Sequence, residues 1–170
     1  RSKMGIEVKN LNYKIKDNHI LKDINLSINE GEILTIMGPN GSGKSSLIKI
    51  LAGDFAANSG RIIYDNKDLN EITIDEQAKI RSVMSQSQEI VYDYSVKEII
   101  EMGWLNLKSN TTFKESLKKV CYECDINNLI NRKYNSLSGG EKRSVNFART
   151  LIQLSYDDNN TNKYLILDEP

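Results

Sequence analysis

Residues Gly38-Pro39-Asn40-Gly41-Ser42-Gly43-Lys44-Ser45 lie between a continuously apolar run, Ile33-Leu34-Thr35-Ile36-Met37, and an apolar-periodic stretch carrying Leu47, Ile48 and Leu51. A strand, a glycine-rich loop and a helix in that order confine the chain to α/β architectures, because the loop must leave a strand end and open directly into a helix. The glycines let successive backbone N–H groups turn inward around an anion. The first helical turn adds the positive end of its dipole, and the Lys44 ammonium can reach outer phosphates. Ser45 is left to ligate Mg²⁺. Such a loop holds a nucleotide by its phosphates.

The 170 residues make about one domain, long enough to bury roughly 70% of the surface that the unfolded chain exposes. Lys+Arg and Asp+Glu are equal at 23 each, and no basic block breaks that balance. Nucleic acid is therefore not the expected partner. No apolar run approaches the roughly 18 residues of a membrane span, and the start lacks the apolar core of a signal peptide. A cytosolic chain able to dock on membrane proteins is expected, with Arg1-Ser2-Lys3 as additions ahead of a natural start at Met4. Cys121 and Cys124 form a C-x-x-C pair, but a zinc site needs two more ligands and the one histidine is His19. With Phe113, Leu117 and Val120 the two thiols fall at helical spacing, which makes them small apolar residues on a buried face.

The opening third alternates, with Ile6 and Val8, Tyr13 and Ile15, then Ile24, Leu26 and Ile28, separated by turn-prone Asn10-Leu11-Asn12 and Lys16-Asp17-Asn18. That pattern predicts a half-exposed antiparallel sheet. Ile33 to Met37 instead predicts a parallel strand buried on both faces. A helix is expected from Lys44 to Ala52, ended by Gly53, and a further strand from Arg61 to Tyr64 after Ser59-Gly60. From Gln86 to Tyr134 the period becomes helical, with Val96, Ile99, Ile100 and Leu105 in one segment and Phe113 to Cys124 in another. Leu137-Ser138-Gly139-Gly140-Glu141 opens another helix with Val145, Ala148, Leu151 and Ile152 on one face. A polar loop, Ser155 to Lys163, leads to a second fully apolar strand, Tyr164 to Leu167, which ends in Asp168-Glu169. The whole reads as one α/β unit with an inserted helical lobe.

Asp168, at the end of an apolar strand, is where a phosphate-loop protein places the acid that holds Mg²⁺ opposite the loop hydroxyl. Glu169 points the other way off the strand end, and can polarise a water for in-line attack on a γ-phosphate. Ser138, Gly139 and Gly140 at a helix start make a second anion-binding surface; read alone, the same residues are an ordinary serine cap with glycine turn chemistry.

The loop Gly38 to Ser45, Gln86, Leu137 to Glu141 and Leu165 to Glu169 match, in order and spacing, the Walker A, Q-loop, signature and Walker B motifs of ATP-binding-cassette transporters. The chain resembles the nucleotide-binding subunit of that family along essentially its whole length. The resemblance implies a P-loop NTPase fold: an ABC ATPase core sheet, an N-terminal antiparallel β-subdomain and an inserted α-helical subdomain. Residues 1–170 would be a single domain, with the β-subdomain and P-loop core at 1–85, the helical subdomain at 86–135, and the signature helix and Walker B strand at 136–170. It also implies a head-to-tail homodimer. Each ATP would lie between Gly38 to Ser46 of one copy and Ser138-Gly139-Gly140 of the other. Tyr13 would stack on adenine, Ser45, Gln86 and Asp168 would serve Mg²⁺, and Lys44, Gln86 and Glu169 would carry catalysis. Read from the residues alone, Tyr13 is an aromatic on an edge strand and Gln86 a polar residue after Arg81 to Ser85.

Arg81 to Ser87 and Tyr94 to Gly103 resemble importers of haem, iron-siderophores and cobalamin. Tyr134 to Ser138 and the long polar loop before Lys163 are most similar to the haem-import members. Ser85 replaces the usual proline, and Trp104 stands where a basic residue is common. The resemblance implies polytopic permease subunits and a haem- or siderophore-binding protein as partners, and a peripheral place on the cytoplasmic face of the inner membrane. An ABC ATPase of another substrate class, or a non-transport member, is the alternative. The family's next elements, the D-loop and a switch histidine, are absent before Pro170. The domain is accordingly expected to be incomplete at its C-terminus, to leave apolar sheet faces exposed and to turn over slowly.

Overall fold

The computed structural model describes residues 4–85, 90, 92–105, 111–155 and 161–168, and the chain divides into two compact units, residues 1–76 and 77–170.

In the first unit, β1 (Met4–Ile15) and β2 (Asn18–Asn29) form an antiparallel hairpin closed by Lys16 and Asp17. α1 (Lys44–Leu51) follows, then β3 (Ser59–Tyr64) and the short β4 (Lys67–Asp68), giving the sheet order β2-β1-β3-β4. The alternation seen in the sequence places Ile6, Val8 and Leu11 of β1 in the core together with Ile62 and Tyr64 of β3. Leu47, Ile50 and Leu51 are the buried residues of α1. Each such side chain contributes roughly 1.5–3 kcal/mol on burial. The Tyr64 hydroxyl donates to the Leu51 carbonyl at 2.8 Å, which satisfies a buried polar atom and ties β3 to the end of the helix. α1 ends as expected, with Ala52 as C-cap and Gly53 at φ 75°.

Two expectations for this unit are overturned. Asn10-Leu11-Asn12 is not a turn; β1 runs through it as a bulge. The asparagine side chains replace the lost ladder bonds: Asn10 N–H donates to Asn25 Oδ1 at 2.8 Å, and Asp23 N–H to Asn12 Oδ1 at 3.0 Å. Gly60 of β3 faces this bulge at φ 99°, and a Cβ there would come within 2.6 Å of Asn10 O and Leu11 Cα, so no larger residue fits. The second correction concerns 33–37, which has no regular secondary structure. Ile33 is 92% exposed, Met37 87% and Leu34 40%. Apolar continuity makes a buried strand only where neighbouring strands complete its ladder, and among the described residues none pairs with this run.

α2 (Ile74–Ile80) leads into the second unit, where β5 (Arg81–Met84) and β6 (Tyr164–Leu167) pair in parallel, Arg81 opposite Tyr164 and Met84 opposite Leu167. The apolar strand forms where expected, but with one strand partner it is only half-buried, and Leu165 is 37% exposed. The helical lobe consists of α3 (Val96–Glu101), α4 (Phe113–Glu123) and α5 (Gly139–Gln153). Val96, Ile99, Ile100, Val120, Val145 and Ile152 form its core at 0–1% exposure. α3 ends at Glu101, with Gly103 N–H bonded to Ile100 O, so Leu105 lies beyond the helix it was expected to extend. Gln153 joins lobe to strand: it accepts from the Ser82 hydroxyl at 2.9 Å and donates to the carbonyls of Ala78 and Arg81. Of the expected polar loop, residues 156–160 lie outside the described residues, and Lys163 donates to the Lys79 carbonyl at 2.9 Å.

All three lobe helices begin with a reciprocal cap, Ser95 with Glu98, Thr112 with Glu115 and Ser138 with Glu141. These bonds, foremost the Ser95 hydroxyl for Glu98 and the backbone N–H for Glu115 and Glu141, hold each carboxyl below its ordinary value of 4.5. A carboxyl lowered by folding stabilises the folded chain fully above the unfolded value, and the contribution is lost as pH falls through the folded one. Acid destabilisation of the lobe is expected to set in near pH 4.5 and deepen below it. Replacing all three glutamates by glutamine should flatten that dependence in urea titrations.

Cys121 is buried and Cys124 half-buried, both packed with the lobe core as the helical spacing implied. Burial raises both thiols, and Cys124, with Glu123 and Cys121 adding to the effect, is pushed up to about 11. Neither is a thiolate near neutrality. Alkylation at pH 7.5 should be slow in the folded chain and rapid in denaturant; equal rates would contradict this packing.

Candidate functional site

The glycine-rich loop opens directly into α1. Gly41 and Gly43 take φ 80° and 94°, and Gly43 is the N-cap. A Cβ at Gly43 would press on Ile20 O and Leu21 Cδ2 at 3.0 Å, so the turn needs glycine for space as well as for its dihedral. Ser42 N–H closes the loop on Pro39 O at 3.2 Å. The Lys44 ammonium is folded back over the loop, donating to Gly38 O at 2.7 Å and Pro39 O at 2.8 Å. Two of its three donors thus shape the backbone while the positive charge stays at the loop.

The start of α1 differs from the three lobe helices. It has no side-chain cap bond and no acid in its first turn. No acidic side chain of that turn offsets the positive end of its dipole, which favours an anion there. Gly38 to Ser42 and Ser45 are exposed, whereas Gly43, Lys44 and Ser46 are partly covered.

Tyr13, also in the first unit, is half-buried on β1 and stacks on Phe55, with ring centroids 6.0 Å apart and planes inclined by 28°. Lys49 Nζ stands 5.2 Å from the Phe55 centroid. Nothing in the sequence joined Tyr13 to Phe55, because the contact is made between β1 and the connection that follows α1.

In the second unit, Ser138, Gly139 and Gly140 are exposed at the start of α5. Ser138 Oγ accepts from Glu141 N–H at 3.3 Å, and Ser138 N–H donates to Glu141 Oε2 at 2.7 Å. Arg132 binds the same carboxylate at 3.2 Å and thereby steadies the cap. As first-turn donors, the N–H groups of Gly139 and Gly140 have no intrahelical acceptor, and a Cβ at either glycine would meet nothing within 4 Å.

Asp168 is buried, and its N–H continues the parallel ladder by one step, donating to Met84 O at 2.9 Å. The carboxyl ends of β5 and β6 therefore lie side by side, the end at which open α/β sheets bind ligands. Gln86 and Glu169 lie outside the described residues. Among the described residues no cluster of three acids, histidines or cysteines could hold a metal by itself. The Ser45 hydroxyl in the first unit and the Asp168 carboxylate in the second are each hard oxygen donors of the kind that Mg²⁺ accepts.

Residues 21–170 match the family model described as ABC transporter. The hemin import ATP-binding protein HmuV of Escherichia coli is 39% identical over 165 residues, which is 97% of this chain and 64% of that protein. The protein of the same name from Aliivibrio fischeri is 37% identical over 170 residues, covering 99% of this chain and 64% of its own length. The chain thus spans somewhat under two thirds of these relatives. Among solved structures, cbiO1 from Clostridium perfringens, part of the ABC transporter complex cbiONQ, superposes with a TM-score of 0.81 at 30% identity, over 99% of this chain and 66% of that one.

Proposed function

The chain belongs to the ABC transporter family, and from that premise we propose that it is the ATP-binding and ATP-hydrolysing part of an importer whose cargo is haem. The observation that carries the nucleotide reading is the start of α1, a helix with no side-chain cap bond and no acid in its first turn, with an ammonium folded over the loop before it. Gly38 to Ser46 hold the phosphates and Tyr13 stacks on the adenine. Ser45, Asp168 and Gln86 serve Mg²⁺, whose charge offsets that of the phosphates. Glu169 polarises the attacking water, with Lys44 and Gln86 assisting.

Ser138-Gly139-Gly140 act on the nucleotide of a second copy. The open space around Gly139 and Gly140 and their first-turn N–H groups suit close approach to a γ-phosphate, so the working form is a head-to-tail homodimer closed over two ATP molecules. No described helix is long and apolar enough to cross a membrane. In this reading the dimer works on the cytoplasmic face of the inner membrane, beneath permease subunits that receive haem from a binding protein. The relatives' names support haem as the cargo.

Equilibrium binding of Mg·ATP to the purified chain tests the core of this reading, and no measurable retention at millimolar ATP overturns it. Haem-dependent ATP hydrolysis by a chain as long as the curated relatives, reconstituted with a candidate haem permease, tests the cargo. A permease that responds to another chelate and not to haem would overturn that part alone.

A further inference from the structure

Phe55 is 39% exposed, and no role assigned so far accounts for it. Its ring covers part of one face of Tyr13 in a near-parallel offset arrangement, a favoured geometry for an aromatic pair. Three features fix that ring in place. The N–H groups of Asp54 and Phe55 both donate to the Lys49 carbonyl, at 2.8 and 3.2 Å, so Phe55 is anchored to the C-terminal end of α1, the helix whose other end carries the phosphate loop. The Lys49 ammonium lies against Phe55. Asn58 then pins the same connection to β1 on both sides of Tyr13: its N–H donates to Asn12 O at 2.9 Å, and its Oδ1 accepts from Lys14 N–H at 2.7 Å.

We propose that Phe55 is a positioning residue for the nucleobase, backing one face of the Tyr13 ring so that the other is held ready for adenine at a fixed distance from the phosphate loop. This rests on the reading of Tyr13 as the base-stacking residue. A tyrosine ring with no neighbour behind it samples several rotamers, and a base that stacks on it must first order it. A ring already stacked from behind removes that cost, so the effect falls on ligands that carry a base and spares those that carry only phosphates.

The test measures binding of Mg·ATP and of magnesium tripolyphosphate to the unaltered chain and to Phe55→Ala, Phe55→Leu and Phe55→Tyr. The alanine and leucine variants are expected to lose about three- to tenfold in ATP affinity and to bind tripolyphosphate as before, while Phe55→Tyr restores ATP binding. In a Tyr13→Ala background, Phe55→Ala should cost nothing further. Undiminished ATP affinity in Phe55→Leu, or parallel losses for ATP and tripolyphosphate, would overturn the role of Phe55 and leave the nucleotide reading standing. Failure of the unaltered chain to bind ATP would overturn both.

Discussion

Replacing Lys44 by alanine is expected to weaken Mg·ATP binding by about 10- to 150-fold, the range given by charge-assisted hydrogen bonds of roughly 1.5–3 kcal/mol, and to leave the thermal midpoint nearly unchanged. The two effects separate because the ammonium does two different things. In the free chain it donates to Gly38 O and Pro39 O in a largely exposed loop, where water replaces those bonds at small cost. Toward a triphosphate it is the one side-chain cation of the loop, and without it the α1 dipole and the backbone N–H groups act alone. Lys44→Arg keeps the charge but presents a planar fork where a compact ammonium sits between two carbonyls, so only part of the affinity should return. Calorimetric titration at two salt concentrations checks both, with the alanine variant showing the weaker salt dependence. An unchanged dissociation constant for Lys44→Ala would remove the loop from the binding site.

Where one element sets its own conformation, reading the sequence anticipated the structure. The glycine-to-helix transition at Gly43-Lys44, the C-terminal stop at Ala52-Gly53, and the apolar face Val145, Ala148 and Ile152 of α5 follow from local dihedral and periodicity rules. The failures arise where a non-local partner decides. Ile33 to Met37 carries every intrinsic mark of an interior strand, yet strand is a property of a pair, and without a ladder the run stays open. Asn10 to Asn12 carries turn residues, yet Asn25 and Asp23 on β2 satisfy the backbone there and keep β1 continuous. The site divides in the same way. The loop and the cap of α5 were legible as contiguous residues, whereas the Tyr13–Phe55 pair depends on how β1 and the end of α1 are folded together.

Asp168→Asn and Glu169→Gln are expected to fail at different steps, although the two acids are adjacent. Asp168 is buried at the end of a parallel ladder, its N–H fixed to Met84 O, so its carboxylate has little freedom to move and is suited to hold a cation in one place. Neutralising it should abolish the magnesium dependence of nucleotide affinity. Glu169 is the next residue in the sequence. A base there contributes to proton transfer and not to affinity, and removing a positioned general base costs about 10²- to 10⁴-fold in rate. Glu169→Gln, in a chain as long as the curated relatives, should therefore bind Mg·ATP as tightly as the parent and hydrolyse it at least a hundredfold more slowly. If the proposed head-to-tail dimer forms, it should then persist with nucleotide bound, because only hydrolysis would release the charges held between Gly38 to Ser46 of one copy and Ser138 to Gly140 of the other. Size-exclusion chromatography with ATP distinguishes the two variants: a stable dimer for Glu169→Gln and none for Asp168→Asn. Equal turnover in Glu169→Gln and the parent would transfer the role of base to another residue, and a magnesium-sensitive affinity in Asp168→Asn would do the same for the metal.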